Sequence, residues 1–380
     1  MQLAVVSGPN PPATRERRLR PTVIRVIVLL LLYSTVASFA VSEFLRYPGL
    51  ASAKAEFGGE DFFGDMVYGR APLPYVTRVL VPWLIRAAGA VTAPAARAQL
   101  EESVRRTQTT DGKPGWLYRY PFEFIMAKNI ILLFAIGFAF AFRWLARLTI
   151  DAPAPAVDAI PVVTLLALPG LYGHASHLYD FPALCLFTLG LALIAVRRLW
   201  LYVIVFVAAV LNKETALLLT FIWVIVERRR LNRSRLLTGL MLQVAVWGLI
   251  RGGLLLLFRG NPGQPIALHL LRNAQTLAVP GNWFSFRAVA DWLVLPTGFN
   301  MLYVLGFVAS LFAIKKAPQF LKDAFWVAIP VIVLTWLFGN VDEMRVYYEL
   351  LPIVALVLFD GLYRLMGYGP KSQPASSATT

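Results

Sequence analysis

The sequence predicts an all-α polytopic integral membrane protein, with about 9–10 membrane helices, a short hairpin and a long first extracytoplasmic loop. Hydrophobic residues make up 58% of the 380 residues, charged residues make up 15%, and the mean hydropathy is +0.63. This composition excludes a soluble globular domain. The arginines and lysines cluster at the ends of apolar segments, which is typical of the cytoplasmic ends of membrane helices. The single cysteine, Cys185, excludes a disulfide framework and a cysteine-based metal site.

The net charge of +15 raises the question of nucleic-acid binding. The basic residues lie at segment ends, where anionic headgroups and the orientation of the helices account for them. We therefore expect membrane lipids as partners and no nucleic acid.

Uncharged runs and basic clusters together define one path through the membrane. A basic cytoplasmic tail, residues 1–22, precedes a first span at 23–42, whose uncharged run is longer than a usual signal-peptide core, so that we expect it to be retained. The extracytoplasmic loop 43–121 follows, and its segment 74–90 could form an interfacial helix. Further spans are predicted at 122–142, 157–176, 180–196, 236–257, 291–314, 323–339 and 346–364, with a hairpin at 199–226 and a second outer loop at 258–290.

This path predicts a membrane domain over residues 23–365 and a disordered cytoplasmic tail over 366–380. Both termini are then cytoplasmic, and the protein lies in the cell inner (cytoplasmic) membrane. No internal repeat is visible, which weighs against a transporter built from duplicated halves.

The predicted hairpin, 199–226, carries only two charged residues, Lys213 and Glu214, and both lie at its centre. Arginines flank both ends, which places both ends on the cytoplasmic side, yet two crossings need roughly 40 apolar residues. The charged tip is therefore predicted at membrane depth, where charge is costly and marks functional sites. Two structural alternatives stay open: a Lys–Glu pair within the tip, and a helix cap at Asn212.

Carboxylates in the first outer loop are candidate general bases, namely Asp65, Asp61 and Glu60. A solvated acidic loop is the alternative. Arg78 follows in an apolar run, where its planar guanidinium suits a phosphate. Arg251 is a further charge inside a predicted span, and it could contact a lipid phosphate or pair with an acid.

Two more polar clusters adjoin predicted spans. The spacing of His174, His177 and Asp180 predicts one helical face, which could be a metal grouping or a polar edge. Near the last span, helical spacing would let Arg345 and Glu349 pair on one helix face, and that pairing alone is the structural alternative for this cluster. Glu343 and Tyr348 belong to the same cluster.

These elements together resemble a bacterial branch of the GT-C superfamily of integral-membrane glycosyltransferases. The resemblance covers residues 43–360. It rests on a Tyr-x-x-Arg-Val-Leu-Val-Pro element (75–82), a His-x-Tyr-Asp-Phe element (177–181), the Asn-Lys-Glu-Thr hairpin tip and a Glu-x-Arg-x-x-x-Glu-Leu-x-Pro element (343–352).

The resemblance implies transfer of a sugar from a polyprenyl-phosphate carrier to a glycan or lipid acceptor on the extracytoplasmic face. It implies Asp65 as the base, with Asp61 or Glu60 as substitutes, and it leaves a divalent metal open because no clear Asp-Asp or Glu-x-Asp pair is present; no metal ligand is assigned. The candidate substrate-binding residues are Arg78, His177, Asp180, Lys213, Glu214, Arg251, Glu343, Arg345 and Tyr348.

Two other functions fit the same pattern. The intramembrane charges could line the path of a lipid or solute transporter or flippase, or the chain could be a non-catalytic subunit of an envelope-glycan assembly. Catalysis predicts one indispensable outer carboxylate, whereas transport predicts dependence on the hairpin charges.

Overall fold

The computed structural model describes residues 16–46, 62–107, 119–172, 176–290 and 293–368, and this part of the chain is predominantly helical. The helices are α1 (Glu16–Arg46), α2 (Phe62–Tyr68), α3 (Leu80–Val91), α4 (Pro94–Thr107), α5 (Pro121–Thr149), α6 (Ala154–Ala167), α7 (Asp180–Ala195), α8 (Leu199–Asn212), α9 (Leu217–Glu227), α10 (Arg233–Leu257), α11 (Leu270–Ala278), α12 (Met301–Ala313), α13 (Gln319–Phe325), α14 (Ala328–Phe338) and α15 (Leu351–Leu365). Short 3-10 helices cover Tyr75–Thr77, Leu168–Tyr172, Glu214–Ala216, Pro280–Phe284, Ile314–Lys316 and Met344–Tyr347.

Five helical segments of the described chain are long and apolar enough to cross a membrane: Val23–Leu45, Pro121–Thr149, Ala154–Tyr172, Arg233–Leu257 and Gln319–Phe338. They coincide with five of the predicted spans. Their outer faces carry large apolar side chains, such as Leu31, Leu249 and Leu256, that are more than 60% exposed. Exposed apolar surface of this extent is typical of a membrane protein.

One region departs from the all-α prediction. Strands β1 (Phe286–Ala290) and β2 (Leu293–Pro296) form an antiparallel two-stranded sheet where the helix 291–314 was predicted to begin. Gly298 then takes a φ of 63°, a left-handed conformation that glycine adopts readily. The helix begins only at Met301, where the Asn300 side chain accepts a hydrogen bond from the Leu302 N–H at 3.0 Å.

The predicted cytoplasmic clusters meet at one end of the molecule, here called the basic end. Asp158, near the start of α6, accepts hydrogen bonds from Arg25 of α1 and from Arg143 and Arg147 of α5, the latter two at 2.7 and 3.0 Å. The Tyr363 hydroxyl at the end of α15 donates to the backbone carbonyl of Ala156 at 2.8 Å. The helix ends that carry arginine clusters therefore lie together, as the charge pattern predicts.

The chain turns back between α8 and α9, as the hairpin prediction requires. Arg197 Nε lies 3.5 Å from Glu227 Oε1, so the two ends of segment 199–226 meet at the basic end. At the other end, Asn212 donates to the carbonyl of Tyr179 at 2.9 Å, beside the start of α7. The helix breaks at Lys213, whose backbone is extended (φ −157°, ψ 141°).

The alternative role of Asn212 as a helix cap is wrong. Asn212 is the last residue of α8, and α9 begins five residues later, after the 3-10 turn Glu214–Ala216. The Asn212 side chain instead binds the backbone that precedes α7, which fixes the tip of the hairpin against that helix.

Candidate functional site

Segments far apart in the sequence converge on the hairpin tip. They are the loop after the 3-10 helix Tyr75–Thr77, the residues before α7, the 3-10 helix Met344–Tyr347 with the residues beside it, and the middle of α10. A backbone hydrogen bond of 3.0 Å from the Val79 N–H to the Leu211 carbonyl fixes the first of them to the end of α8. We call this assembly the tip network.

Glu214 joins two arginines in the tip network. Arg78 reaches its carboxylate through Nη2 at 2.5 Å and Nε at 3.2 Å, a two-point contact. Arg251 lies 3.4 Å from the same carboxylate and also donates to Thr77, to the carbonyl at 3.0 Å and to Oγ1 at 2.7 Å. The buried charge in α10 therefore has an acid as its partner, one of the two roles that the sequence left open.

Lys213 pairs with a different carboxylate. Its Nζ lies 2.9 Å from Glu349 Oε1, and the Thr215 hydroxyl donates to the same oxygen. The prediction that Glu349 pairs with Arg345 is wrong, because residues 344–347 form a 3-10 helix and α15 begins only at Leu351, so helical i, i+4 spacing does not apply. A Lys213–Glu214 pair within the tip is likewise not formed.

Arg345 occupies the third part of the tip network. It donates to Glu343 Oε2 at 2.6 Å and to the Tyr179 hydroxyl at 3.1 Å, and it lies 3.7 Å from Asp180 Oδ1. The other oxygen of Asp180 accepts the His177 backbone N–H at 2.8 Å. His177 therefore lies in the turn before α7, and it does not share a helical face with Asp180. His174 lies outside the described residues.

The Tyr179 ring is at the centre of these groups. The Arg78 guanidinium carbon lies 4.1 Å from the ring centroid, within cation–π range, and the His177 ring stacks on it at 5.1 Å. Because its hydroxyl also accepts from Arg345, this one side chain contacts three predicted site residues.

The tip network is balanced in charge among the described residues. Four basic and four acidic side chains take part, and all of these residues except Glu214 and Glu343 are buried. The basic ones are Arg78, Lys213, Arg251 and Arg345, and the acidic ones are Asp180, Glu214, Glu343 and Glu349. An anionic ligand must therefore share these cations with the carboxylates that already hold them.

Several buried polar atoms of the tip network have no hydrogen-bond partner within the described chain. They are His177 Nδ1, Asn212 Oδ1, Arg345 Nε, Tyr348 Oη and Glu349 Oε2. Burial holds the pKa of His177 well below its ordinary value, and the nearby Arg345, Arg78 and Lys213 lower it further, so the imidazole is neutral. Native structures seldom leave such atoms unsatisfied, and a group of them indicates bound water, an ion or a ligand.

The candidate base Asp65 lies on the short helix α2, whose first residue contacts the tip network. Asp65 of α2 accepts a hydrogen bond from Arg70 Nε at 3.0 Å, and its side chain is partly exposed. One turn earlier, the Phe62 ring contacts Tyr75 at 5.2 Å and His177 at 5.9 Å. Asp65 therefore lies about one helical turn from a residue that contacts the network. Glu60 and Asp61 lie outside the described residues.

Within the part of the chain that the structure describes, no group of three or more His, Cys, Asp and Glu side chains could hold a metal ion. Sequence reasoning missed the pairing of Glu349 with Lys213 and the roles of Tyr179 and Thr77. Tyr179 lies inside the His-x-Tyr-Asp element, which was the available signal.

Comparisons with protein-family models, with curated proteins and with solved structures find no match.

Proposed function

We propose that the chain is a membrane glycosyltransferase of the GT-C type, which transfers a sugar from a polyprenyl-phosphate carrier to an acceptor on the extracytoplasmic face. One observation carries the proposal: the nine candidate substrate-binding residues, drawn from five parts of the sequence, meet in one buried network at the end opposite the arginine clusters.

The tip network offers what a lipid phosphate requires. Arg78 and Arg345 present planar guanidinium groups, which bind phosphate oxygens through paired hydrogen bonds, and Lys213 adds a third cation. Arg345 Nε has no partner within the described chain, so it can donate to a ligand without breaking an existing contact. The remaining donors become available as Glu214, Glu343 and Glu349 share their cations with the phosphate.

The proposed reaction is an inverting displacement at the anomeric carbon. The oxygen of the acceptor hydroxyl forms a bond to the anomeric carbon while Asp65 removes the proton of that hydroxyl. The bond between that carbon and the phosphate oxygen breaks, and both bonding electrons leave with the polyprenyl phosphate. Arg78, Lys213 and Arg345 stabilise the charge that develops on the departing group.

Replacement of Asp65 by asparagine tests the base. The change is nearly isosteric, and general-base catalysis contributes about 10²–10⁴ in rate, so we expect Asp65→Asn to lose that much transfer activity while it still binds the donor. Purified protein in nanodiscs, with a polyprenyl-phosphate sugar as donor, provides the measurement.

The matched control is Glu102→Gln, which removes an exposed carboxylate on α4 that pairs with the surface arginine Arg106 at 2.9 Å. Its transfer rate should equal that of the wild type. Near-wild-type transfer by Asp65→Asn would remove Asp65 from the reaction, and Asp61→Asn and Glu60→Gln then identify which neighbour acts instead.

A transporter or flippase is the second candidate, and the charge balance of the tip network favours it. A buried, neutral set of ion pairs can exchange partners as a headgroup or ion binds and leaves. Liposomes that contain the protein separate the two functions. If the protein is a transporter, Asp65→Asn should still move lipid or solute across the liposome membrane. Loss of the basic side chains of the tip network should stop that movement.

A further inference from the structure

A recess lies outside the tip network, between α3, α4 and the start of α5. Its volume is about 340 Å³, at the lower end of the range for small-molecule sites. The walls are largely apolar and come from Ile85, Gly89, Ala90 and Phe122. Its polar side chains are Tyr68, Arg86, Arg97 and Glu123.

Glu123 is the buried polar group of this recess, with 4% of its surface exposed. Its Oε1 accepts the Tyr68 hydroxyl at 2.6 Å and Arg97 Nη2 at 2.8 Å. Burial, followed by the hydrogen bond to Glu123, raises the pKa of Tyr68 to about 12, so the phenol remains a donor at neutral pH. The carboxylate is thus held in a fixed orientation at the recess.

Three charged side chains line the recess. Arg97 is paired with Glu123 and, at 2.9 Å, with Glu101, which lies outside the lining, and Arg86 supplies the second cation of the wall. The two guanidinium groups donate hydrogen bonds and the carboxylate accepts them, so hydroxyl groups find both kinds of partner here. Fixed acceptors and donors beside an aromatic ring and apolar walls suit a ligand with many hydroxyl groups and a carbon face.

The short helix α2 connects this recess with the tip network. Phe62, its first residue, contacts the network, and Tyr68, its last, lines the recess. Six residues of helix advance about 9 Å, and Asp65 lies midway between these two residues. The helix that carries the proposed base Asp65 therefore also contributes a side chain to the recess.

We propose that the recess binds a pyranoside and holds the sugar end of the acceptor. The binding claim stands on the recess alone, whereas its assignment to the acceptor rests on the proposed glycosyltransferase function.

Saturation-transfer NMR on the full-length protein in nanodiscs, with a panel of methyl pyranosides as probes, tests the binding claim. Gly89→Leu fills the recess without removal of a polar group, since a Cβ there already meets the Phe122 ring at 3.4 Å. We expect it to weaken probe binding at least tenfold. Ala87→Leu, on the exposed side of the same helix, is the control and should bind the probes as the wild type does.

Glu123→Gln supplies an independent test, because it keeps the shape of the side chain and removes the charge that orients hydroxyl groups. Glu123→Gln should also weaken probe binding. Its thermal unfolding temperature should be no lower than that of Gly89→Leu, so that the weaker binding does not come from loss of the fold. The absence of saturation transfer to any pyranoside in the wild type, or equal transfer in wild type and Gly89→Leu, would overturn the proposal.

A transfer assay separates this proposal from the function on which it partly rests. With an active wild type, Gly89→Leu should raise the KM for the acceptor and leave donor binding unchanged. If the wild type transfers no sugar but binds pyranosides in a manner that depends on Gly89, the recess is a sugar site and the glycosyltransferase proposal fails alone.

Discussion

At the scale of single residues, the hairpin tip is held by pairs of charges. Lys213 is buried against Glu349, and loss of the lysine alone leaves that carboxylate buried without a counter-charge. Such a loss costs about 3–5 kcal/mol. We therefore predict that Lys213→Met lowers the free energy of unfolding by an amount of this order, as measured by denaturant titration in detergent.

A second substitution tests the reason for that loss. Glu349→Gln removes the unpaired charge, so Lys213→Met combined with Glu349→Gln should recover most of the stability. A double variant no more stable than Lys213→Met would show that the lysine acts through packing and that the ion pair is not the source of its effect.

The sequence identified the residues of the tip network better than their contacts. Lys213, Glu214 and Arg251 stand out because each is a charge inside an apolar run. Their partners lie far away in the chain, since Lys213 and Glu349 are 136 positions apart, so no local spacing reveals them. The pairing of Arg345 with Glu349, inferred from helical spacing, failed because the segment is not an α-helix there.

At the scale of elements, the hairpin is the feature on which the site depends. Because its two ends meet at the basic end, cysteines at Arg198 and Arg228 should be joined by a short bifunctional maleimide in a Cys185→Ser background. Mass spectrometry of the digested protein identifies the joined peptides. The pair Arg198→Cys and Thr215→Cys, which lie before α8 and in the turn after it, is the control and should not be joined.

Cross-linking of the control pair but not of the test pair would mean that the segment 199–226 crosses once and that its ends lie apart.

The prediction of the hairpin succeeded because arginines on both sides and a short apolar length leave few alternatives. The β1–β2 sheet was missed for the opposite reason, since a short apolar run alone does not distinguish a strand from a buried helix. Pro296 and Gly298 were the signals of its end.

At the scale of the whole molecule, the arginine clusters and the tip network lie at opposite ends, and the orientation rule predicts which end is cytoplasmic. A cysteine at Ser103, an exposed residue of α4, should react with a membrane-impermeant maleimide in intact cells. A cysteine at Arg228 should react only after lysis, with Cys185→Ser as the background for both. The reverse pattern of labelling would invert the orientation and place the tip network on the cytoplasmic side.

The most direct test of the central claim is mass spectrometry of the lipid that co-purifies with the protein in nanodiscs. We predict a polyprenyl-phosphate-linked sugar with the wild type and with Asp65→Asn, and its loss from the double variant Lys213→Met, Glu349→Gln, which keeps the charge balance of the network but lacks one cation. A wild type without any polyprenyl carrier, or a double variant that retains as much carrier as the wild type, would contradict the claim that the tip network binds the donor.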